Sequence, residues 1–126
     1  MAKATIKVLA LRAGEKAKVE EIGTELKDLQ AFVGGLIEVI YYPFGGEDAC
    51  LVCNEEGKLN GMDLNRGIYD EDGEIIDIIA GPAFICGTGE EDFISLTDDQ
   101  IDKYAKIFGS PEIFIRSGRR IVGIKY

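Results

Sequence analysis

Several short stretches of this 126-residue chain carry side chains that can do chemistry. In V-C-N-E-E-G-K-L-N (52–60) two adjacent carboxylates, Glu55 and Glu56, follow a cysteine. Paired carboxylates move protons or hold a hard cation. Here they are neighbours on a polar turn, where carboxylates are ordinarily solvated. Asn54, just before them, can bond its own backbone and fix that turn. Cys50-x-x-Cys53 suggests a metal or redox pair. The chain has no histidine, however, and one C-x-x-C supplies only two of the four ligands of a structural zinc. The pair also falls in A-C-L-V-C, which reads as a strand, so the two thiols point to opposite faces. Cys50, Cys53 and Cys86 are expected to be buried free thiols. No metal ligand set and no cofactor are expected.

D-E-D-G-E (70–74) suggests a calcium loop, but placing Gly73 at the loop's sixth position puts Ile68 and Ile79 where ligands must stand. G-T-G-E-E-D (87–92) lacks the third glycine of a dinucleotide loop and sets acids where phosphate would lie; no phosphate-loop motif occurs elsewhere. Without histidine, nucleophilic catalysis lacks its usual base, and none of Ser95, Ser110 and Ser117 sits in a nucleophile elbow. No catalytic residue is assigned, and the chain is expected not to be an enzyme. R-S-G-R-R (116–120) is the strongest local charge signal. Arginine forks suit phosphate and carboxylate, so Arg116, Arg119 and Arg120 are the candidate anion contacts. Phe84 and Tyr126 are candidates to stack on a base, and Asn54 and Asn65 to make polar contacts. Dimerisation through a sheet edge would bring Arg116 and Arg119 to an aromatic pocket of a second copy.

The elements that must position these residues follow from periodicity and caps. Residues 4–12 alternate as a strand, with a short second strand in K-A-K-V-E-E-I. Thr24 is expected to cap a helix over about 25–33 that Gly34 ends, with Leu26, Leu29 and Val33 on its apolar stripe. Strands follow at 36–42 and 49–54. Alternation puts one of Tyr41 and Tyr42 in the core. Asn65 to Gly73 reads as a polar connection, and 75–79 with 82–86 as a short helix then a strand, or one bent strand. Thr97 and Gln100 form a capping box for a second helix at 98–108, stopped by Gly109 and Pro111. Residues 112–126 close the chain as a β-hairpin. The fold class is α+β: one domain over 1–126, an antiparallel β-sheet packed by two α-helices with a C-terminal hairpin.

Charge is unevenly spread. Residues 1–20 carry +3, 21–112 carry −16 and 113–126 carry +4, giving −9 in all. An acidic body disfavours nonspecific nucleic-acid binding. No apolar run approaches the roughly 20 residues of a membrane helix, and the N-terminus has no signal core, so a soluble protein of the bacterial cytoplasm is expected.

In order, L-Q-A-F-V-G-G-L-I-E-V-I (29–40), N-E-E-G-K-L within 52–61, Asn65-Arg66, I-A-G-P-A-F-I-C-G (79–87) and L-T-D-D-Q-I (96–101) resemble a family of short proteins. Its members come from phages, plasmids and conjugative elements of Gram-positive bacteria, and the family is catalogued as a domain of unknown function. The resemblance spans about 5 to 108 and rests on V-G-G-x-I-E together with N-E-E-G-K-L. The hairpin at 112–126 departs from the family pattern, so nothing about Arg116 to Lys125 comes from it. The resemblance implies a mobile-element context and no activity. The expected function is a non-enzymatic binding protein in counter-defence or host takeover that sequesters a small anionic, nucleotide-type ligand. The alternative is an acidic protein–protein module, or DNA mimic, that inhibits a host or defence protein.

Overall fold

The computed structural model describes residues 4–126. Strands β1 (Thr5–Leu11) and β2 (Lys18–Gly23) pair antiparallel from Thr5↔Gly23 to Ala10↔Lys18. Helix α1 (Leu26–Val33) follows. Its N-cap is Glu25, which forms a capping box with Asp28; this displaces the expected cap, Thr24, by one residue. A carboxylate at this position also suits the positive end of the helix dipole. Gly34 ends the helix at φ 81°, a left-handed conformation that glycine adopts without steric cost.

Strands β3 (Ile37–Ile40) and β4 (Ala49–Asn54) flank a single 3-10 turn, Tyr42–Phe44. Next come β5 (Leu64–Tyr69), β6 (Ile75–Ala80), β7 (Ala83–Thr88) and β8 (Phe93–Ile94). Helix α2 (Asp98–Phe108) has the expected Thr97/Gln100 capping box. Strands β9 (Glu112–Ser117) and β10 (Arg120–Lys125) form the closing hairpin, in register from Arg120↔Ser117 to Lys125↔Glu112.

The main sheet runs β2-β1-β7-β4-β3, with β8 added to β7. Every pairing is antiparallel, and β5-β6 and β9-β10 are separate two-stranded sheets. Strand alternation splits the apolar side chains into two clusters. Ile6, Val8, Cys50, Val52, Phe84 and Cys86 face α1, where they meet Leu29 and Val33. Leu9, Leu11, Leu51, Cys53 and Ile85 face the other way, onto Ile68 of β5, Ile79 of β6, and Tyr104 and Phe108 of α2. The result is three layers: a helix, a sheet, and a mixed layer of helix and hairpin.

Three expectations change. Residues 64–69 form a buried strand, not a connection, because β6 pairs with them and covers their backbone. Residues 75–80 are strand throughout. The sheet ends at Ile40, so alternation does not reach Tyr41 and Tyr42. Both tyrosines are exposed, and Phe44 of the 3-10 turn takes the core position, edge-on to Tyr104 at 5.0 Å.

Candidate functional site

The side chains singled out from sequence do not converge. Phe84 is fully buried on β7, edge-to-face with Phe32 of α1 at 5.2 Å, so neither ring face is open to stack a base. Asn54 is buried at the end of β4. Its amide donates to the Val33 carbonyl at 3.1 Å, and its Oδ1 accepts from the Glu56 N–H at 2.8 Å. It thus holds the last turn of α1 to the Glu55-Glu56 turn.

Asn65 is also fully buried and donates to the carbonyls of Leu11 (2.8 Å) and Gly81 (2.9 Å). Its Oδ1 accepts from Arg66 at 2.9 Å. Arg66 is a fully buried cation held mostly by backbone oxygens. Nε donates to the Phe108 carbonyl at 2.7 Å, Nη1 to Arg12 at 3.2 Å, and Nη2 to Glu15 at 2.7 Å. Burial pulls its pKa down, and nearby Glu112 opposes this. The guanidinium sits where the dipole of α2 is negative, and it ties that helix to the end of β1. Asn65-Arg66 is therefore a brace of the fold. Nothing local signals the burial of Arg66, because Leu64–Tyr69 lacks strand-like alternation.

Arg116, Arg119 and Arg120 all lie exposed on the closing hairpin. Arg120 pairs with Glu74, whereas Arg116 and Arg119 have no partner among the described residues. The hairpin lines none of the larger cavities. Tyr126 stands exposed at the hairpin base, where its N–H donates to the Pro111 carbonyl at 3.0 Å. The basic ends of the chain do not pair: β1 lies between β2 and β7, and the hairpin forms a sheet of its own.

Two sizeable concavities lie elsewhere, along β3. This strand ends the main sheet, so its outer edge has no neighbouring strand among the described residues. On its α1 face a cavity of about 640 Å³ is floored by Leu26, Leu29, Ile37, Tyr41, Phe93 and Ile94. Glu90, Glu91 and Asp92 rim it, and no cation lines it. None of these three acids has a cationic partner among the described residues. On the opposite face a cavity of about 520 Å³ is lined by Glu38, Val39, Ile40, Tyr41, Tyr42, Gly45, Gly46 and Asp77. Asp77 accepts from the Tyr42 hydroxyl at 2.8 Å and from Lys58 at 2.7 Å. Burial works to raise the Asp77 pKa, but these donors and the Ile78 N–H outweigh it and hold the carboxyl below its usual range.

Cys53 lines a neighbouring cavity of about 390 Å³ that shares Glu38 and Asp77 with the second. Burial, then the charges of Glu38 and Asp77, push its thiol up to about 12, so it stays protonated. Cys50 and Cys86 meet across β4 and β7 with sulfurs 3.7 Å apart, fully buried. Cys50 and Cys53 do fall on opposite faces of β4. Among the described residues, no helix is long and apolar enough to cross a membrane.

The architecture defines a small three-layer α+β protein. The chain belongs to the family described as a domain of unknown function, DUF3846, whose model matches residues 6–109. No curated protein and no solved structure matches it significantly. The family match stops before β9, so the hairpin lies outside the matched domain.

Proposed function

We propose that this chain is a non-enzymatic protein-binding module that captures an extended, basic segment of a partner protein along the open edge of β3. The observation that carries this reading is the edge itself, flanked on both faces by apolar-floored, acid-rimmed cavities. An added strand takes its affinity from backbone hydrogen bonds and its specificity from pockets for alternate side chains. Side chains on one face would enter the Glu90–Asp92 cavity, and those on the other the Glu38 cavity. Both select a segment that mixes Lys or Arg with Ile or Val. Taken with the resemblance to proteins of phages, plasmids and conjugative elements, the partner is a host or defence protein and the role is counter-defence or takeover. The acidic surface then occupies a site that otherwise contacts nucleic acid.

Fluorescence anisotropy with alternating basic–apolar peptides tests this. The expected result is binding that weakens steeply with salt. It should fall about tenfold in Glu91→Lys, the ~1.4 kcal/mol of one close charge contact. Binding should disappear when alternate peptide nitrogens are methylated, since these cannot join an edge. Equal binding of acidic peptides, or indifference to N-methylation, would sink the reading.

A second reading rests on the unpartnered Arg116 and Arg119: the hairpin takes a small nucleotide-type anion. Native mass spectrometry after incubation with nucleotides tests it, through an added mass that Arg119→Ala removes. Its support is thinner, because these arginines line none of the cavities described along the body and Phe84 is sealed in the core.

A further inference from the structure

The three thiols are grouped differently in space than along the chain. Cys50 and Cys53 are close in sequence, yet they face opposite sides of β4. Cys50 and Cys86 are 36 residues apart and stand directly opposite each other across β4 and β7. The register brings their backbones to disulfide spacing. The Thr88 N–H donates to the Asp48 carbonyl at 3.0 Å, which makes Asp48 and Thr88 a hydrogen-bonded pair of the ladder. Two steps on, Cys50 and Cys86 are a pair of the same kind. Such a pair has Cα atoms about 5.5 Å apart, inside the roughly 4.4–6.8 Å that a disulfide spans. Both side chains leave the same face of the sheet, and their sulfurs lie 3.7 Å apart as free thiols. Neither cysteine lines the cavities along β3.

We infer that Cys50 and Cys86 are a site of oxidative modification, where hydrogen peroxide closes a disulfide that clamps β4 to β7. Two steps balance the reaction. The Cys50 sulfur attacks the peroxide: an S–O bond forms, the O–O bond breaks and water leaves, giving a sulfenic acid. The Cys86 sulfur then attacks the Cys50 sulfur: the S–S bond forms, the S–O bond breaks and a second water carries off the Cys86 proton. The two thiols give up two electrons, and both peroxide oxygens leave as water. The contact itself sets the order. With Cys86 as donor, the hydrogen bond holds the Cys50 thiol below its ordinary range against the effect of burial. The same bond, together with burial, pushes the Cys86 thiol up. Cys50 is therefore the sulfur that meets the oxidant and Cys86 the one that resolves it. Cys53, on the other face of β4, takes no part. Both reacting sulfurs lie shut from water beneath α1. That helix has only eight residues, too few to persist unsupported. Its hold on the sheet is Leu29 and Val33, with the Asn54 amide on the Val33 carbonyl. Local release of α1, short of global unfolding, admits a molecule little larger than water.

Hydrogen peroxide added to the folded full chain, read by intact mass and peptide mapping, tests this. The expected product has lost two hydrogens and gained no oxygen. It carries one link within the chain, Cys50 to Cys86, and Cys53 remains free for alkylation after unfolding. Reduction in denaturant should restore the starting mass. Closing this loop should raise the thermal midpoint by roughly 5–15 °C. Cys53→Ala should oxidise as wild type does, whereas Cys86→Ala should lose no hydrogens. Several results would each overturn the inference: no reaction while circular dichroism shows a folded chain, a link through Cys53 or to a second chain, oxygen added without closure, or a lowered midpoint.

Discussion

The matched domain and the closing hairpin use similar residues to opposite ends. In the domain, β-branched and aromatic side chains of β1, β4 and β7 are buried on both faces of the sheet. In the hairpin, Ile113, Ile115, Val122 and Ile124 stand half exposed. The cations differ in the same way. Arg66 is fully buried and satisfied by carbonyls, whereas Arg116 and Arg119 are exposed, without partners among the described residues. Residue type thus does not assign a role. What decides is whether another layer covers the residue. The domain supplies its own cover, and the hairpin leaves one face half exposed.

Substitutions can break or sharpen this contrast. The largest effect is expected from Phe84→Ala. It opens a cavity between β7 and α1 and should cost about 3–5 kcal/mol in urea unfolding, whereas Ile115→Ala should cost under about 1 kcal/mol. Equal costs would mean that the hairpin is part of the cooperative core. Arg66→Met should lose about 3–4 kcal/mol, because buried carbonyls of Arg12, Glu15 and Phe108 lose their donor. Arg116→Ala, measured alongside, should stay within about 0.5 kcal/mol.

Glu112→Ala tests the hinge between the regions. It strands the buried Gly67 N–H and should cost about 1–3 kcal/mol. Its sharper readout is local: amide shifts of 113–125 should collapse toward random coil while those of β1, β4 and β7 persist. Loss of both together would merge the two regions into one unit. The smallest effect concerns acid. The Arg12 side-chain hydrogen bond to Glu20 outweighs partial burial and lowers the Glu20 pKa. A depressed carboxylate contributes stability that is present above its unfolded pKa and is lost as pH falls through the folded value. Wild type should therefore lose stability faster than Glu20→Gln below about pH 4.5, by a few tenths of a kcal/mol, because the pair is largely solvated. Identical acid profiles would remove the pair from the account.

Local rules made much of the framework legible. Thr97 and Gln100 mark the start of α2, Gly34 marks the end of α1, and the alternation of E-I-F-I-R and R-R-I-V-G-I-K marks the hairpin. These signals act within a few residues, so the chain specifies them alone. The same locality accounts for the misses. L-N-R-G-I-Y reads as a connection because its Asn, Arg and Gly are poor strand formers, and it becomes a buried strand only because β6 pairs with it and distant carbonyls receive Arg66. Tyr41 and Tyr42 left the alternating pattern when the strand gave way to a 3-10 turn at Pro43. Asn54 fixes a turn as its type and position suggest, and Arg116, Arg119 and Arg120 lie exposed on the hairpin. The burial of Phe84 has no local signal, since it depends on which helix lands on β7.

What the sequence by itself determined is the inventory: two capped helices, most of the strands, an acidic middle and a basic closing hairpin. Each is a property of neighbouring residues and their spacing. Only the tertiary structure decided that β3 is an edge, that acids 52 residues apart, Glu38 and Glu90, flank it on opposite faces, and that one hairpin face remains half exposed. Those facts depend on strand order and layer contacts, which bring together residues far apart in the chain and leave no local trace in it.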